Sequence, residues 1–481
     1  MRSFFSFKLL VYYGLIAGSV CYATETDGKV FRAGSAAITI TPKPGVLLDG
    51  VLMQIGTAKH IHDDLYVRAL VLDDGTTRIA IAICDACMLG QDVCDKAKAM
   101  VNRQTGLPRD RILLAATHTH CAPRAMHIGK EPLDNEYHDI LVQQIAESVV
   151  RATKNLAPAK IGWGKVNKPE YPRCRRWLVK PGTAGTNPFG ERSDKVANRN
   201  NKNAIKPTGP VDPELFILSV QHTDGRPLAL LGNYSIHFAG FKQGEVSADY
   251  FGYFSRQIAE LLDPTQGQPS FVGIMSNGTS GDTNIDKDRD HPFERMKQVG
   301  HDLAEEAQRV CQKITYHNKA FLATAQTEVE LMVRHPNEDR ILWANTIWSK
   351  AKPKVATGQQ LTRSEIYARE AIHLSRFPRS VSLPLQAIRI GDLAIVAIPC
   401  EVFAETGLAI KRSSPFPSTF TISLANGYAG YLPPAEQHKL GGYTTWPARS
   451  SYLEIGAESK IRKAVLAILK QLTGKPIPAI Q

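Results

Sequence analysis

The chain has 481 residues, 43% of them hydrophobic and 22% charged, with 36 Gly and 29 Pro. This composition describes a globular protein with ample core and excludes disordered, collagen-like and coiled-coil classes. Lys and Arg outnumber Asp and Glu by 58 to 46, a formal charge of +12, which favours anionic surfaces or substrates in general; with no nucleic-acid motif and no Lys/Arg tract, a solvated basic surface is expected and a nucleic-acid partner is not.

The chain opens on a leader-like segment. Arg2 and Lys8 flank an n-region, residues 9–20 are mostly apolar, and Cys21-Tyr22-Ala23 places small residues at −3 and −1 of a cleavage site before polar Thr24-Glu25-Thr26. Residues 1–23 therefore read as a signal peptide, too short for a membrane span, and predict a secreted or periplasmic protein. A lipoprotein reading through Cys21 is weaker, because bulky Val20 precedes it. Cleavage removes Arg2 and Lys8, taking +12 to +10. No later stretch reaches about 18 uninterrupted apolar residues, so no transmembrane segment is expected. Residues 24–481 are read as one large domain.

Beyond the leader, apolar runs at 67–72, 79–84, 112–117, 228–236, 271–275, 393–398 and 420–425 lack polar alternation and predict strands buried on both faces. Between them, 134–153, 248–262, 294–314 and 454–472 carry apolar residues at helical spacing. The pattern predicts an α/β fold with a mixed β-sheet core flanked by helices. Two segments interrupt it: 171–212, rich in Arg, Asn, Gly and Pro, reads as a long excursion, and 335–380 as a mostly helical cap. Seven cysteines follow the leader (Cys84, Cys87, Cys94, Cys121, Cys174, Cys311 and Cys400). An odd number spread this widely predicts core thiols or one incidental disulfide, not a disulfide scaffold.

Polar residues stand at the carboxyl ends of the apolar runs. Residues 112–117 lead into His118-Thr119-His120, 228–236 into His237, 271–275 into Ser276-Asn277-Gly278-Thr279-Ser280-Gly281-Asp282, 393–400 into Glu401, and 79–84 into Asp85. In helix-crossed sheets, ligands bind beyond the carboxyl ends of strands, so these residues predict one shared polar pocket, provided the strands are neighbours. Two apart on an extended strand, His118 and His120 would present both imidazoles to one face. With His237 and Glu401 they would form a nitrogen and oxygen set suited to Zn2+. Each His, taken alone, is as readily a structural hydrogen-bonding residue. A G-x-S-x-G elbow, H-E-x-x-H and a P-loop lysine are all absent.

These landmarks, in order, resemble the catalytic domain of neutral/alkaline non-lysosomal ceramidases. The resemblance is carried by Ala33-Gly34 with Ile38-Thr39-Ile40-Thr41-Pro42, by Ile61-His62-Asp63-Asp64-Leu65-Tyr66-Val67-Arg68-Ala69-Leu70, and by Ala116-Thr117-His118-Thr119-His120. It continues through Asn233-Tyr234-Ser235-Ile236-His237, Ser247-Ala248-Asp249-Tyr250-Phe251-Gly252-Tyr253, Ile398-Pro399-Cys400-Glu401 and Asn426-Gly427-Tyr428-Ala429-Gly430-Tyr431. It implies a catalytic Zn2+ held by His118, His237, Glu401 and Tyr431, with His120 as acid/base or hydrogen-bond donor and Arg175 as a substrate contact. Asp85 and Asp249 are candidates to orient the ligating imidazoles, although each could equally be a helix cap or structural acceptor. Asp282 and Asn284 fall in the family's Gly-Asp-Val-Ser-Pro motif, here Gly281-Asp282-Thr283-Asn284-Ile285, so an essential serine at that position is not expected. The landmarks run to within about fifty residues of Gln481, so the family's immunoglobulin-like C-terminal domain is not expected. The implied activity is hydrolysis of an amide-type (N-acyl) bond by metal-activated water. Ceramide is the first substrate expected; an N-acyl amino sugar or other glycan fragment is the alternative, and a non-catalytic binding protein the reading from another class. An apolar acyl tunnel would favour lipid, and an open, polar, aromatic-lined pocket sugar.

Overall fold

In the computed structural model, described for residues 29–474 except 49–51, 53–55, 127–134, 266–269 and 357–358, the core is built from two β-sheets packed face to face. The signal-peptide reading of residues 1–23 lies outside the described residues. The larger sheet orders eight strands as Val272–Asn277, Pro227–Tyr234, Glu214–His222, Ala157–Asn167, Arg32–Thr39, Tyr66–Asp73, Arg78–Cys84 and Ile112–Ala116. The outermost pair at either edge is parallel and the pairs between are antiparallel. The second sheet orders Leu322–Met332, Ser380–Ile390, Leu393–Ala397 and Ser418–Ile422, the last pair parallel.

Leu70, Ile81, Leu113, Phe216 and Leu231 of the larger sheet meet Ile388, Ile395, Phe420 and Ile422 of the smaller in one buried cluster. The opposite face of the larger sheet is covered at one end by Gln91–Thr105 and Asn135–Lys154, and at the other by Asp249–Leu262 and Pro292–Cys311. The smaller sheet is backed by Ala404–Ser413 and Ala457–Gln471. Four layers result, α/β/β/α, in which the inner strands have an apolar neighbour on both sides. This explains the unalternating runs in the sequence.

The excursion at 171–212 is ordered locally. Arg176–Val179, Val196–Asn198 and Ala204–Pro207 form a three-stranded sheet, and Arg173–Cys174 pairs with Thr283–Asn284. Residues 335–380 carry a helical hairpin, Glu338–Ala356 and Arg363–Leu374. Its second helix starts on a capping box, with Thr362 and Glu365 each accepting from the other's backbone N–H. The seven cysteines from Cys84 onward are free thiols, all buried except the partly buried Cys311. No helix among the described residues is long and apolar enough to cross a membrane.

The strands that carry the predicted site are not consecutive neighbours: Ile112–Ala116 and Val272–Asn277 stand at opposite edges of the eight-stranded sheet. The sheet curls until those edges meet. Asn277 donates its side-chain amide to the Thr117 carbonyl at 2.9 Å. Residues 423–426 close the seam: the Ser423 N–H reaches the Asn277 carbonyl at 3.0 Å, the Ala116 N–H reaches the Leu424 carbonyl at 3.2 Å, and the Asn426 N–H reaches the Leu114 carbonyl at 2.7 Å. The strand ends thus converge through adjacency within each edge pair and through curvature between the two pairs.

Candidate metal centre

The strand Ile112–Ala116 stops before the histidines, so His118 and His120 do not share a face by extended geometry. His118 instead has φ 76°, a left-handed conformation uncommon for a side chain with a Cβ, held by its N–H on the Ala86 carbonyl at 2.9 Å. Strain of this kind, about 1–3 kcal/mol, persists where surrounding structure imposes it, often at functional sites. The turn nevertheless brings the His118 and His120 rings edge to face at 4.8 Å. His237 follows the strand Pro227–Tyr234 and is fixed by its N–H on the Thr283 carbonyl at 3.2 Å. Glu401 begins a two-residue strand, Glu401–Val402, pairing in parallel with Tyr431–Leu432.

The side chains of His118, His237 and Glu401 are at most 3% exposed. His118 Nδ1 lies 2.6 Å from the Cys87 carbonyl and His237 Nδ1 lies 3.4 Å from the Ser280 carbonyl. A carbonyl only accepts, so both Nδ1 atoms carry a proton, and the Nε2 atoms are the ones turned toward a shared ion position. The two Nε2 atoms are 3.2 Å apart, and the Glu401 Oε2 lies 3.4 Å from the His118 Nε2. Burial, followed by the neighbouring His118, pushes the His237 imidazole well below its usual range, which leaves it neutral. Two imidazole nitrogens and a carboxylate oxygen therefore face one another at ligand spacing, and Glu401 Oε2 has no hydrogen-bond partner among the described residues.

A divalent cation suits this arrangement. Ligands at about 2.0–2.1 Å around a tetrahedral Zn2+ lie about 3.3 Å from one another, and the observed separations of 3.2 and 3.4 Å bracket that value. The donor set fits the metal. Cys87, His118 and His120 also cluster within ligand reach. That set would use the side of His118 already committed to the Cys87 carbonyl, whereas Nε2 is free to face His237 and Glu401.

The surrounding shell is aromatic and cationic. The Tyr428 hydroxyl donates to Glu401 Oε1 at 2.9 Å, and the Tyr431 and Tyr443 hydroxyls share a hydrogen bond of 2.9 Å. The Arg175 guanidinium lies 5.0 Å from the Tyr431 ring centroid and 5.6 Å from that of Tyr443, and donates to the Gly281 carbonyl. His120 stacks on Phe238 at 3.9 Å, and the half-buried Lys287 ammonium sits 3.0 Å from the Phe238 centroid. Burial pushes the Lys287 ammonium down to about 7 and the His120 imidazole well below its usual range. His120 Nε2 is buried without a partner among the described residues.

Of the sequence-predicted residues, His118, His120, His237, Glu401, Tyr431 and Arg175 come together. Asp85 and Asp249 bond to neither ligating imidazole. Asp85 pairs with Arg68 at 2.7 Å and accepts the Tyr66 N–H, while Cys87 and Ser280 carbonyls take the orienting positions instead. Asp249 accepts the N–H groups of Ala239 and Gly240 and so fixes the loop just after His237. Burial raises its carboxyl to about 6, the backbone donors countering in part. Asp282 accepts the Ala404 N–H at 2.9 Å, and its carbonyl receives the Arg175 N–H at 2.9 Å; burial lifts its carboxyl to about 6 as well. Asn284 pairs through its backbone with Arg173. Gly281 is glycine for space: a Cβ there would lie 2.4 Å from the Glu401 carbonyl oxygen. Sequence reasoning missed Tyr428, although it stands in the same short motif as Tyr431. It also missed Tyr443, Phe238 and Lys287, for which no local pattern exists.

The family profile of neutral/alkaline non-lysosomal ceramidase, N-terminal, matches residues 32–313. The chain belongs to this ceramidase family. Neutral ceramidase A of Dictyostelium discoideum is 22% identical over 279 residues, covering 54% of this chain and 36% of that protein. This ceramidase-family chain thus aligns with about a third of its curated relative's length. Among solved structures, neutral ceramidase from Pseudomonas aeruginosa superposes with TM-score 0.70 at 18% identity, over 94% of this chain and 76% of that one. A ceramidase complexed with C2 gives 0.68 at 17%, over 94% and 77%. At these identities the superpositions establish the fold.

Proposed function

We propose that the protein is a zinc-dependent hydrolase of N-acyl, amide-type bonds. The observation that carries this reading is the convergence of two imidazole Nε2 atoms and an unpartnered carboxylate oxygen in a buried pocket. His118, His237 and Glu401 would hold the ion, with Tyr431 as a further ligand suggested by the family resemblance. When bound, Zn2+ supplies Lewis-acid polarisation of a carbonyl and lowers the pKa of coordinated water from 15.7 to about 7.

The remaining groups have roles within reach of that position. His120, neutral and with Nε2 unpartnered, can accept a proton from the attacking water and deliver it to the departing amine nitrogen, a contribution of about 10²–10⁴-fold. Arg175 can orient a polar or anionic part of the substrate, and Tyr428 holds Glu401 in place. Asn284 stands where the family motif has serine, which supports attack by water instead of by a protein nucleophile. The leader-like residues 1–23 support export, and residues 24–481 are proposed as a single hydrolase domain.

Metal analysis of the purified protein, run alongside a panel of N-acyl lipids and N-acyl sugars, tests this reading. One zinc per chain and release of a free amine are expected. His118→Ala and His237→Ala should each lose both the zinc and at least about a thousandfold in turnover. Stoichiometric zinc with full activity in either variant would overturn the ligand assignment.

A further inference from the structure

Arg175 and Tyr443 also line a cavity of about 560 Å³. It is bounded by the second helix of the helical hairpin, the 171–212 excursion and residues 442–446. Tyr443 spans the two spaces: it lines the cavity, and its hydroxyl bonds Tyr431, the strand partner of Glu401. Arg175 and Tyr443 are thus shared between the cavity wall and the shell of the metal centre.

Two features define what the cavity accepts. First, the rings of Tyr367, Tyr443 and Trp446 line it, giving flat faces that suit the C–H face of a sugar ring. Second, the lining is cationic, with Arg175, Arg176 and Arg363 against the single carboxylate of Asp194. Arg176 is committed to Gln437, Thr444 and Gly441, and Asp194 to the Trp446 indole N–H at 2.9 Å. Arg363 is exposed, lies 5.7 Å from the Trp446 ring centroid, and has no carboxylate partner among the described residues. A guanidinium fork matches a carboxylate or sulfate.

We infer that this cavity seats a hydroxylated sugar ring bearing an anionic substituent, the amine side of an N-acyl amino sugar whose amide lies at the metal centre. The inference rests on the N-acyl hydrolase reading. The reaction is a balanced hydrolysis: the C–N bond breaks, the oxygen of water joins the acyl carbon, and both protons of that water go to the departing nitrogen, giving a carboxylate and an ammonium.

Calorimetric titration of the zinc-loaded protein with N-acetylglucosamine, N-acetylglucosamine 6-sulfate, N-acetylmuramic acid and a short-chain ceramide tests it, with turnover of each measured in parallel. Both anionic sugars, or one of them, should bind at least about tenfold tighter than the neutral sugar, which identifies the preferred anion. Arg363→Ala should erase that preference while leaving neutral-sugar affinity unchanged. Trp446→Ala, which removes a stacking face, should weaken all the sugars about five- to tenfold with zinc content unchanged. Failure of every sugar to bind at millimolar concentration, with ceramide hydrolysed at a KM indifferent to both variants, overturns the inference and leaves the hydrolase reading standing. Tight sugar binding without turnover of any N-acyl compound does the reverse.

Discussion

His118 and His237 each surrender one ring nitrogen to a backbone carbonyl and aim the other at Glu401. Such orienting partners usually govern metal affinity almost as strongly as the ligands do. Glu401 has one too, the Tyr428 hydroxyl. Tyr428→Phe removes that donor and little volume, so zinc affinity should fall about 10–100-fold with the fold intact, as a competitive chelator titration would measure. Asn284→Ala should keep turnover within about tenfold of wild type, because its side-chain oxygen has no partner among the described residues. Complete loss of turnover with zinc still bound would give this loop a direct part in the chemistry. At this scale the sequence was readable where a His or Glu followed a long apolar run. At Asp85 and Asp249 it left open an orienting role or a structural acceptor, and both carboxylates accept backbone N–H groups, a choice that depends on which donors the fold offers. Tyr428 was hidden by Tyr431, two equivalent tyrosines in one motif that only tertiary packing distinguishes.

The helical hairpin owes its position to an element-scale anchor. Glu370, fully buried on the second helix, takes Arg449 in a two-pronged ion pair at 2.8 and 2.7 Å, and Arg369 stands beside it at 3.3 Å. Burial alone would raise this carboxyl, but the Arg449 hydrogen bonds and the two guanidinium charges outweigh it, leaving it below its ordinary value of 4.5. The unfolded chain thus binds this proton more readily than the folded one. The stabilisation is complete above the ordinary value and is lost as pH falls through the folded one. Glu370→Gln strands two buried cations and should cost about 3–5 kcal/mol, visible as a lower Tm at pH 7, with the difference from wild type narrowing in acid. Elements of uniform apolar character were legible from sequence. Leu322–Met332 was not, since its exposed positions break the run. The small sheet within 171–212 was not either, because its pairing depends on contacts that Asn, Gly and Pro do not advertise.

For the whole molecule, the α/β class was legible but the doubling of the sheets was not, since a strand buried between two sheets and one buried between sheet and helices share the same apolar signature. The shared pocket was anticipated on the premise of neighbouring strands; this holds for 79–84 with 112–116 and for 227–234 with 272–277, and the curl of the sheet brings the two pairs together. If zinc binds as proposed, it binds the folded chain alone and stabilises it by about 2.7 kcal/mol at a hundredfold excess over Kd. Chelation should then lower Tm by a few degrees, and scanning calorimetry with and without a chelator measures this.

His118 hangs from one border of the curled sheet, and His237 follows the strand beside the other. An ion gripping both would act as a rivet across the rim, so that loading it and fastening the cylinder-like wrap become a single event. Amide exchange in Ile112–Ala116 and Val272–Asn277, far more than in the middle strands, would then report whether the rivet is in place.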